Sequence, residues 1–254
     1  MLRPRVIPCL LLSGQGLVKT AQFRNPKYVG DPMNAIRIFN EKMADELIVI
    51  DIDASRQHAG PNFEMIELFA DQCFMPVTYG GGVRSGDDAA RIFDLGIEKI
   101  SLQSAALADP RLVTSIATRY GSQAVVMSID VERTRLGKRA LYSSLERRAI
   151  KTPWSQWLRI SVEAGAGEVI ITDVQREGSG SGLDLELVGE AAGLVDVPVT
   201  VQGGVGSLAD IRDGLLAGAS AVAAGSFFVF QGRHRAVLIS YLSPQDFAEL
   251  GVHS

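Results

Sequence analysis

Short apolar runs of strand length recur along the chain, and between them lie longer stretches whose apolar positions repeat every three to four residues. Residues 5–11, 46–51, 75–79, 99–102, 124–130, 168–173, 197–201 and 220–225 read as eight strands. Most are β-branched and apolar on both faces, the pattern of parallel strands buried between layers. Residues 32–43, 62–73, 87–95, 110–120, 153–164, 185–195 and 208–217 read as helices. Asp109-Pro110 and Thr152-Pro153 predict helix starts in which a capping side chain precedes a proline at the first helical position. Strand and helix alternate throughout, so the chain is a string of βα units.

Sliding the sequence on itself by 122 residues aligns two halves. Pro76-Val77-Thr78 meets Pro198-Val199-Thr200, and Gly81-Gly82-Val83 meets Gly203-Gly204-Val205; Ser85, Asp88, Gly96 and Ser104 meet Ser207, Asp210, Gly218 and Ser226. Glu41, Ala44, Glu46, Ile48 and Asp51 meet Glu163, Ala166, Glu168, Ile170 and Asp173. Eight βα units in two equal halves close into a barrel more naturally than into an open sheet. No linker or shift in composition divides residues 1–254. The expected fold is therefore a single α/β domain, a (βα)8 TIM barrel of two homologous half-barrels.

Charge narrows the partners. Lys and Arg number 25 against 29 Asp and Glu, a net charge of −4, and no block of five like charges occurs. That gives no footprint for nucleic acid. The longest apolar stretch, residues 219–230, is broken by Ser220 and Ser226 and falls short of the ~18 residues that cross a bilayer. The opening MLRPRVIPCLLL reads as a first strand, not a signal peptide. Cys9 and Cys73 are too few for a disulfide framework and lack metal-ligand spacing, so no metal or other cofactor is expected and a reducing cytoplasm fits.

In such a barrel, chemistry sits at the C-terminal ends of the strands. Gly80-Gly81-Gly82 follows the third strand and Gly203-Gly204 the seventh, while Ser104 and Gly225-Ser226 end the fourth and eighth. Glycines there either permit tight turns or leave backbone N–H groups free to bind phosphate oxygens. Their repetition, each with a following serine, favours one phosphate cradle per half. Two cradles imply an elongated bisphosphorylated substrate or two phosphorylated ligands. Asp130 ends the fifth strand opposite Leu11 and is the favoured acid–base group. Asp51 and Asp173 serve equally well as loop caps. His58 falls in a loop and His234 and His253 near the C-terminus, so no histidine competes, and Cys9 reads as core packing. At the opposite strand ends stand Arg5, Glu46, Lys99 and Glu168, two of each sign. They are either a salt-bridged plug or a gate in a channel through the barrel.

Several stretches together resemble the cyclase subunit of imidazole glycerol phosphate synthase, over roughly nine tenths of the chain. They are RVIPCL from Arg5, Val18-Lys19, Gly30-Asp31-Pro32, ADEL from Ala44, GGGVR from Gly80, Gly121-Ser122-Gln123, Ile129-Asp130, the run from Gly165 to Glu168, and that from Asp184 to Leu187. The resemblance implies that the two Gly-Gly loops bind the phosphates of a ribulosyl-imidazole substrate. It also implies that Arg5, Glu46, Lys99 and Glu168 gate ammonia arriving from a glutaminase subunit on the N-terminal face, and that Asp130 is one of two catalytic aspartates. Lys19, Asp51 and Glu177 fall at further site positions. The family's other aspartate, in Cys-Leu-Asp-Val-Lys, is replaced here: Cys9 and Leu10 are followed by Leu11, Leu12 and Ser13. The family's Asp-Arg-Asp-Gly-Thr becomes Gln175, Arg176, Glu177, Gly178 and Ser179. The tail QGRHRAVLISYLSPQDFAEL takes the place of the family's final helix. Cys-Leu-Leu together with this tail resembles a paralogous branch associated with amidation of surface-polysaccharide sugars, in which a separate amidotransferase uses the ammonia. Three readings result: an ammonia-passing barrel serving such an amidation, an authentic cyclase–lyase of histidine biosynthesis, and a non-catalytic scaffold that activates its glutaminase.

Overall fold

The computed structural model describes residues 4–251. Eight parallel strands pair in a closed ring: β1 (Arg5–Ser13), β2 (Leu47–Asp51), β3 (Val77–Gly80), β4 (Lys99–Leu102), β5 (Val125–Arg133), β6 (Glu168–Asp173), β7 (Val199–Gln202) and β8 (Ala221–Ala224). β5 pairs with β6 and β8 returns to β1, so no edge is left open. The expected α/β TIM barrel is the fold found.

Helices Pro32–Glu41, Phe63–Gln72, Gly86–Asp94, Arg111–Tyr120, Trp154–Glu163, Leu185–Leu194 and Leu208–Leu216 fill the crossovers. Their inner faces pack Ile36, Phe39, Ile66, Phe69, Ile92, Ile116 and Ile211 against the outer face of the barrel. A smaller apolar cluster of Ile7, Cys9, Ile48, Val126, Ile170, Ala221 and Ala223 fills the barrel itself. Cys9 is thus core packing, as its position mid-strand suggested.

The two halves superpose in register as well as in sequence. Leu47 pairs with Val77 as Val169 pairs with Val199, and Ile50 pairs with Gly80 as Thr172 pairs with Gln202. Leu11 pairs with Ile50 and Asp130 with Thr172, which places Leu11 and Asp130 at equivalent positions.

Three expectations need correction. The prolines of Asp109-Pro110 and Thr152-Pro153 are themselves the cap residues, and neither helix has a side-chain N-cap bond. Asp109 instead accepts the Arg111 N–H and chelates the Arg111 guanidinium. Both halves also open with a strand longer than expected, because β1 and β5 run on into antiparallel hairpins, Gly16–Ala21 with Arg24–Gly30 and Arg139–Ser143 with Arg148–Ala149. Asp130 therefore lies within a strand, three residues short of its end at Arg133. The tail forms a small hairpin, Phe230–Gln231 with Ala236–Val237, and a short helix, Pro244–Leu250. The Tyr241 hydroxyl donates to the Val6 carbonyl at 2.6 Å and so pins the tail to β1 near the floor.

Candidate active site at the barrel mouth and the charged floor

Two cavities open at the C-terminal ends of the strands, with about 1040 Å³ and 490 Å³ of empty space. They share Cys9, Leu11, Phe23 and Gln202, so they form one elongated cleft across the mouth. Gly81, Gly82 and Ser104 line the larger end, and Gly203, Gly204, Gly225 and Ser226 the smaller. The two glycine loops read from the sequence thus face opposite ends of one cleft. Gly81 and Gly203 take left-handed φ of +120° and +98°, where a Cβ would come within 2.5 Å of the Asp51 and Asp173 carbonyl oxygens respectively. Ser104 and Ser226 each begin a one-turn helix. Among the described residues the buried Ser226 hydroxyl has no hydrogen-bond partner, leaving its bonding capacity for a ligand.

The smaller end also holds a lysine. Lys19, on the hairpin strand after β1, is buried, and its Nζ donates to the Cys9 carbonyl at 2.5 Å. Burial pushes its proton affinity below the usual lysine range, and the Glu177 charge opposes that shift. Glu177 spends its carboxylate on structure: Oε1 accepts from the Thr20 hydroxyl and Oε2 from the Phe23 N–H, each at 3.0 Å. It ties the first hairpin over the mouth, where Phe23 packs on Tyr142 of the second hairpin with ring centroids 6.2 Å apart.

Asp130 is 4% exposed and lines the larger cavity. Burial pushes its carboxyl up to about 7, against hydrogen bonds from Gln103 and Thr172 that favour ionisation and with a further upward push from the Glu177 charge. A proton donor and acceptor poised at neutral pH is what general acid–base work requires. Asp51 and Asp173 behave as caps. Asp51 Oδ1 accepts from the Asp53 and Ala54 N–H groups at 2.9 and 3.0 Å, and Asp173 Oδ1 from those of Gln175 and Arg176 at 3.0 and 3.2 Å. Burial raises both carboxyls. His58 sits in a turn away from the acid–base layer, and His234 lies in the tail hairpin; His253 is outside the described residues.

Gln103, Thr172, Gln202 and Ser144 were not singled out by sequence. Gln103 Nε2 donates to Asp130 Oδ2 at 2.5 Å, and Gln202 Nε2 to the Thr172 hydroxyl at 2.8 Å. Gln103 and Gln202 each stand at a strand's C-terminal edge, the position already read for glycines and aspartates; amide side chains there carried no motif to mark them.

At the floor, Arg5, Glu46, Lys99 and Glu168 close into a ring. Arg5 reaches Glu46 at 3.0 Å and Glu168 at 3.1 Å, and Lys99 reaches the same two at 2.8 and 2.9 Å. Thr78 and Thr200 add hydroxyl donors to Glu46 and Glu168 at 3.2 and 2.8 Å. Burial disfavours the Glu168 carboxylate, but Lys99 and Arg5 outweigh it and hold its pKa below the usual glutamate range.

A closed (βα)8 barrel with glycine loops and a buried carboxylate at the C-terminal ends of its strands is the architecture found here. The family model described as histidine biosynthesis protein matches residues 5–235, and the chain belongs to that family. Over 242 residues it is 52% identical to a protein of Pseudomonas aeruginosa provisionally named imidazole glycerol phosphate synthase subunit hisF2, covering 95% of this chain and 96% of that one. A similarly named Leptospira interrogans protein is 43% identical over 250 residues, covering 97% and 98%. The imidazole glycerol phosphate synthase subunit HisF of Exiguobacterium sibiricum is 36% identical over 228 residues, covering 90% and 91%. The chain is thus a barrel of the synthase's cyclase-subunit type. No helix among the described residues is long and apolar enough to cross a membrane.

Proposed function

We propose that this chain is the ammonia-receiving barrel of a cytoplasmic glutamine-dependent amidotransferase complex. A glutaminase docks on the floor face, a phosphorylated ligand occupies the mouth, and the nitrogen serves amidation of a surface-polysaccharide sugar by a separate amidotransferase. The observation that carries this reading is the contrast between a complete charge ring at the floor and a mouth in which Leu11 stands opposite Asp130. Losing one of two proton-transfer groups removes a contribution of ~10²–10⁴-fold, so cyclisation suffers while conduction does not. Between floor and mouth the barrel is packed with Ile7, Cys9, Ile48, Ala221 and Ala223, apolar surroundings that disfavour ammonium far more than neutral ammonia. The exposed Met43 and Phe74, in loops that enter β2 and β3 on the floor side, give a partner apolar purchase, and Asn40, in the helix before the first loop, holds the second by accepting the Phe74 N–H at 3.0 Å. The Leu11 motif and the altered tail support the sugar-amidation branch over the histidine pathway.

The test is the ratio of amidated product to glutamate released, with one glutaminase partner. Lys99→Ala leaves Glu46 and Glu168 sharing Arg5 alone; we expect glutamine hydrolysis to continue, amidation from glutamine to fall, and free ammonium to restore it. An unchanged ratio in a folded variant removes the gate and leaves the scaffold reading. The poised Asp130 and both cradles favour a second reading, an authentic cyclase–lyase, and complementation of a histidine auxotroph by the wild-type chain would establish it.

A further inference from the structure

The bonds around Asp130 run in one direction, and the order starts two residues away. The Gln103 amide oxygen faces Ser144, accepting from its backbone N–H at 3.3 Å and from its hydroxyl. A backbone N–H can only donate, so the atom of Gln103 turned toward it must be the oxygen, and the NH2 group must turn the other way. There it meets Asp130 Oδ2 at 2.5 Å. Were the amide reversed, two donors would face each other at Ser144, and the amide oxygen would face a carboxylate that could then bond only when protonated. On the opposite side, Gln202 donates to the Thr172 oxygen, and the Thr172 hydroxyl bonds Asp130. With its oxygen taken by the Gln202 N–H, the Thr172 hydrogen is the group left to point at the carboxylate.

We infer that Gln103, locked by Ser144, is a positioning residue that fixes Asp130 as a hydrogen-bond acceptor and so sets the pH at which it exchanges its proton. Ser144 lies in the turn of the hairpin that extends β5, so the second half's hairpin has a role at the mouth beyond covering it. The inference rests on the acid–base role of Asp130 in the reading above, but it concerns the proton affinity of one carboxyl and stands whether ammonia ends on a sugar or in an imidazole ring. Other titratable groups face the same place. Glu177, from the loop after β6, acts on Asp130 through its charge, and Tyr142 pairs with Asp130 across the hairpin. Asp51 shares the larger cavity, while Lys19 lies at its smaller neighbour. The Gln103 variants leave all four in place.

The experiment is a carbon-13 titration of aspartate carboxyls in the full chain, with Asp130 assigned by its loss in Asp130→Asn. Wild type should titrate near 7. Gln103→Met keeps the side-chain length without the amide and should raise the midpoint by about one pH unit, a tenfold change in proton affinity. Ser144→Ala keeps the backbone N–H and should raise it by less, Ser144→Thr should restore it, and the Gln103→Met/Ser144→Ala pair should equal Gln103→Met alone. The signal is read without turnover, so failure of the ammonia reading leaves it intact. Amide-proton chemical shifts report whether each variant is folded. A wild-type midpoint reproduced by folded Gln103→Met, or additive shifts in the double variant, would overturn the inference.

Discussion

Helices Pro32–Glu41 and Trp154–Glu163 begin and end 122 residues apart, and so do Gly86–Asp94 and Leu208–Leu216. The second pair even shares its start, a capping box of Ser85 with Asp88 and of Ser207 with Asp210. One layer in, the halves part company. The first presents Leu11, Ile50 and Gly80 on three successive strands; at the paired positions the second presents Asp130, Thr172 and Gln202. The first set makes no side-chain hydrogen bond that the register requires, whereas the second forms a directed network. Backbone needs fix the frame: a left-handed glycine, a cap and a strand pairing admit few residues. Side chains lining a cavity answer only to the ligand, so there the two halves are free to differ. On the proposed function, this difference divides the labour at the mouth, with binding shared between the halves and proton transfer confined to the second.

The largest expected effect tests the shared frame. Gly81→Ala and Gly203→Ala each force a Cβ to within 2.5 Å of a neighbouring carbonyl oxygen at a left-handed φ. Each should cost about 3 kcal/mol or more of unfolding free energy, since the φ penalty alone is ~1–2 kcal/mol and backbone must move as well. Urea denaturation of the two variants should give matching losses. Free acceptance of alanine at one site would mean that the two cradles are not the same structure.

Next in size is a change that erases the difference in polarity. Leu11→Asp restores a carboxylate opposite Asp130, and turnover of the family's ribulosyl-imidazole substrate with ammonium should rise by at least ~10-fold. No gain would mean that the first half lacks more than one group. Wild-type turnover already equal to that of a two-aspartate barrel would sink the assignment of proton transfer to a pair.

The strands, the barrel and the floor ring were legible because each leaves a periodic or repeated trace: apolar runs, the 122-residue offset, and single charges at four strand starts. The hairpins were not. Arg24–Gly30 looks like a polar loop, since Arg24, Asn25, Lys27 and Tyr28 are exposed, and Gly16–Ala21 pairs antiparallel with a strand that has its own parallel partners. The proline-led helix starts misled because Asp109 found a nearer bond in the Arg111 guanidinium. Asp51 and Asp173 stayed ambiguous for a physical reason: a carboxylate at a strand end can cap a loop or face a ligand, and only the loop's path decides. Gln103 and Ser144 were invisible because their importance is directional, and direction depends on a partner 41 residues away.

A third prediction uses pH to separate the two layers. The Asp130 carboxyl titrates near 7 in the fold and about 3.9 in an unfolded chain. Between these values the folded protein keeps a proton that the unfolded chain releases, so Asp130 makes stability fall as pH rises from about 4 to 7. Asp130→Asn has no such loss: its stability relative to wild type should climb across that window and level off above it. Leu11→Ala, at the equivalent site with nothing to titrate, should differ from wild type by the same amount at every pH. Thermal melts at pH 4, 5.5 and 7.5 would show this, and parallel curves for Asp130→Asn would place the Asp130 titration outside the window.

The smallest effect returns to the frame, where the halves should be indistinguishable. The Ser85 hydroxyl accepts the Asp88 N–H at 3.1 Å and the Ser207 hydroxyl the Asp210 N–H at 3.2 Å. In return Asp88 Oδ2 accepts the Ser85 N–H at 3.1 Å and Asp210 Oδ2 the Ser207 N–H at 2.9 Å. Each aspartate also takes an N–H from the loop behind it, of Arg84 and of Gly206, both at 2.9 Å. Removing one hydroxyl leaves a helix N–H unbonded at each site and leaves the aspartate bonds standing. Ser85→Ala and Ser207→Ala should therefore each lose ~1 kcal/mol, and the double variant the sum, because the two caps lie on different helices and share no partner. Each capping serine also stands three residues after its Gly-Gly pair, so on the proposed function the same substitution should loosen phosphate binding in its own half alone. Titrating inorganic phosphate against backbone amide shifts distinguishes the halves: Ser85→Ala should weaken the response of Gly81 and Gly82 while that of Gly203 and Gly204 holds, and Ser207→Ala should do the reverse. A response that weakens in both halves for either variant would mean the two ends of the cleft bind as one unit, joined through the shared wall of Leu11, Phe23 and Gln202.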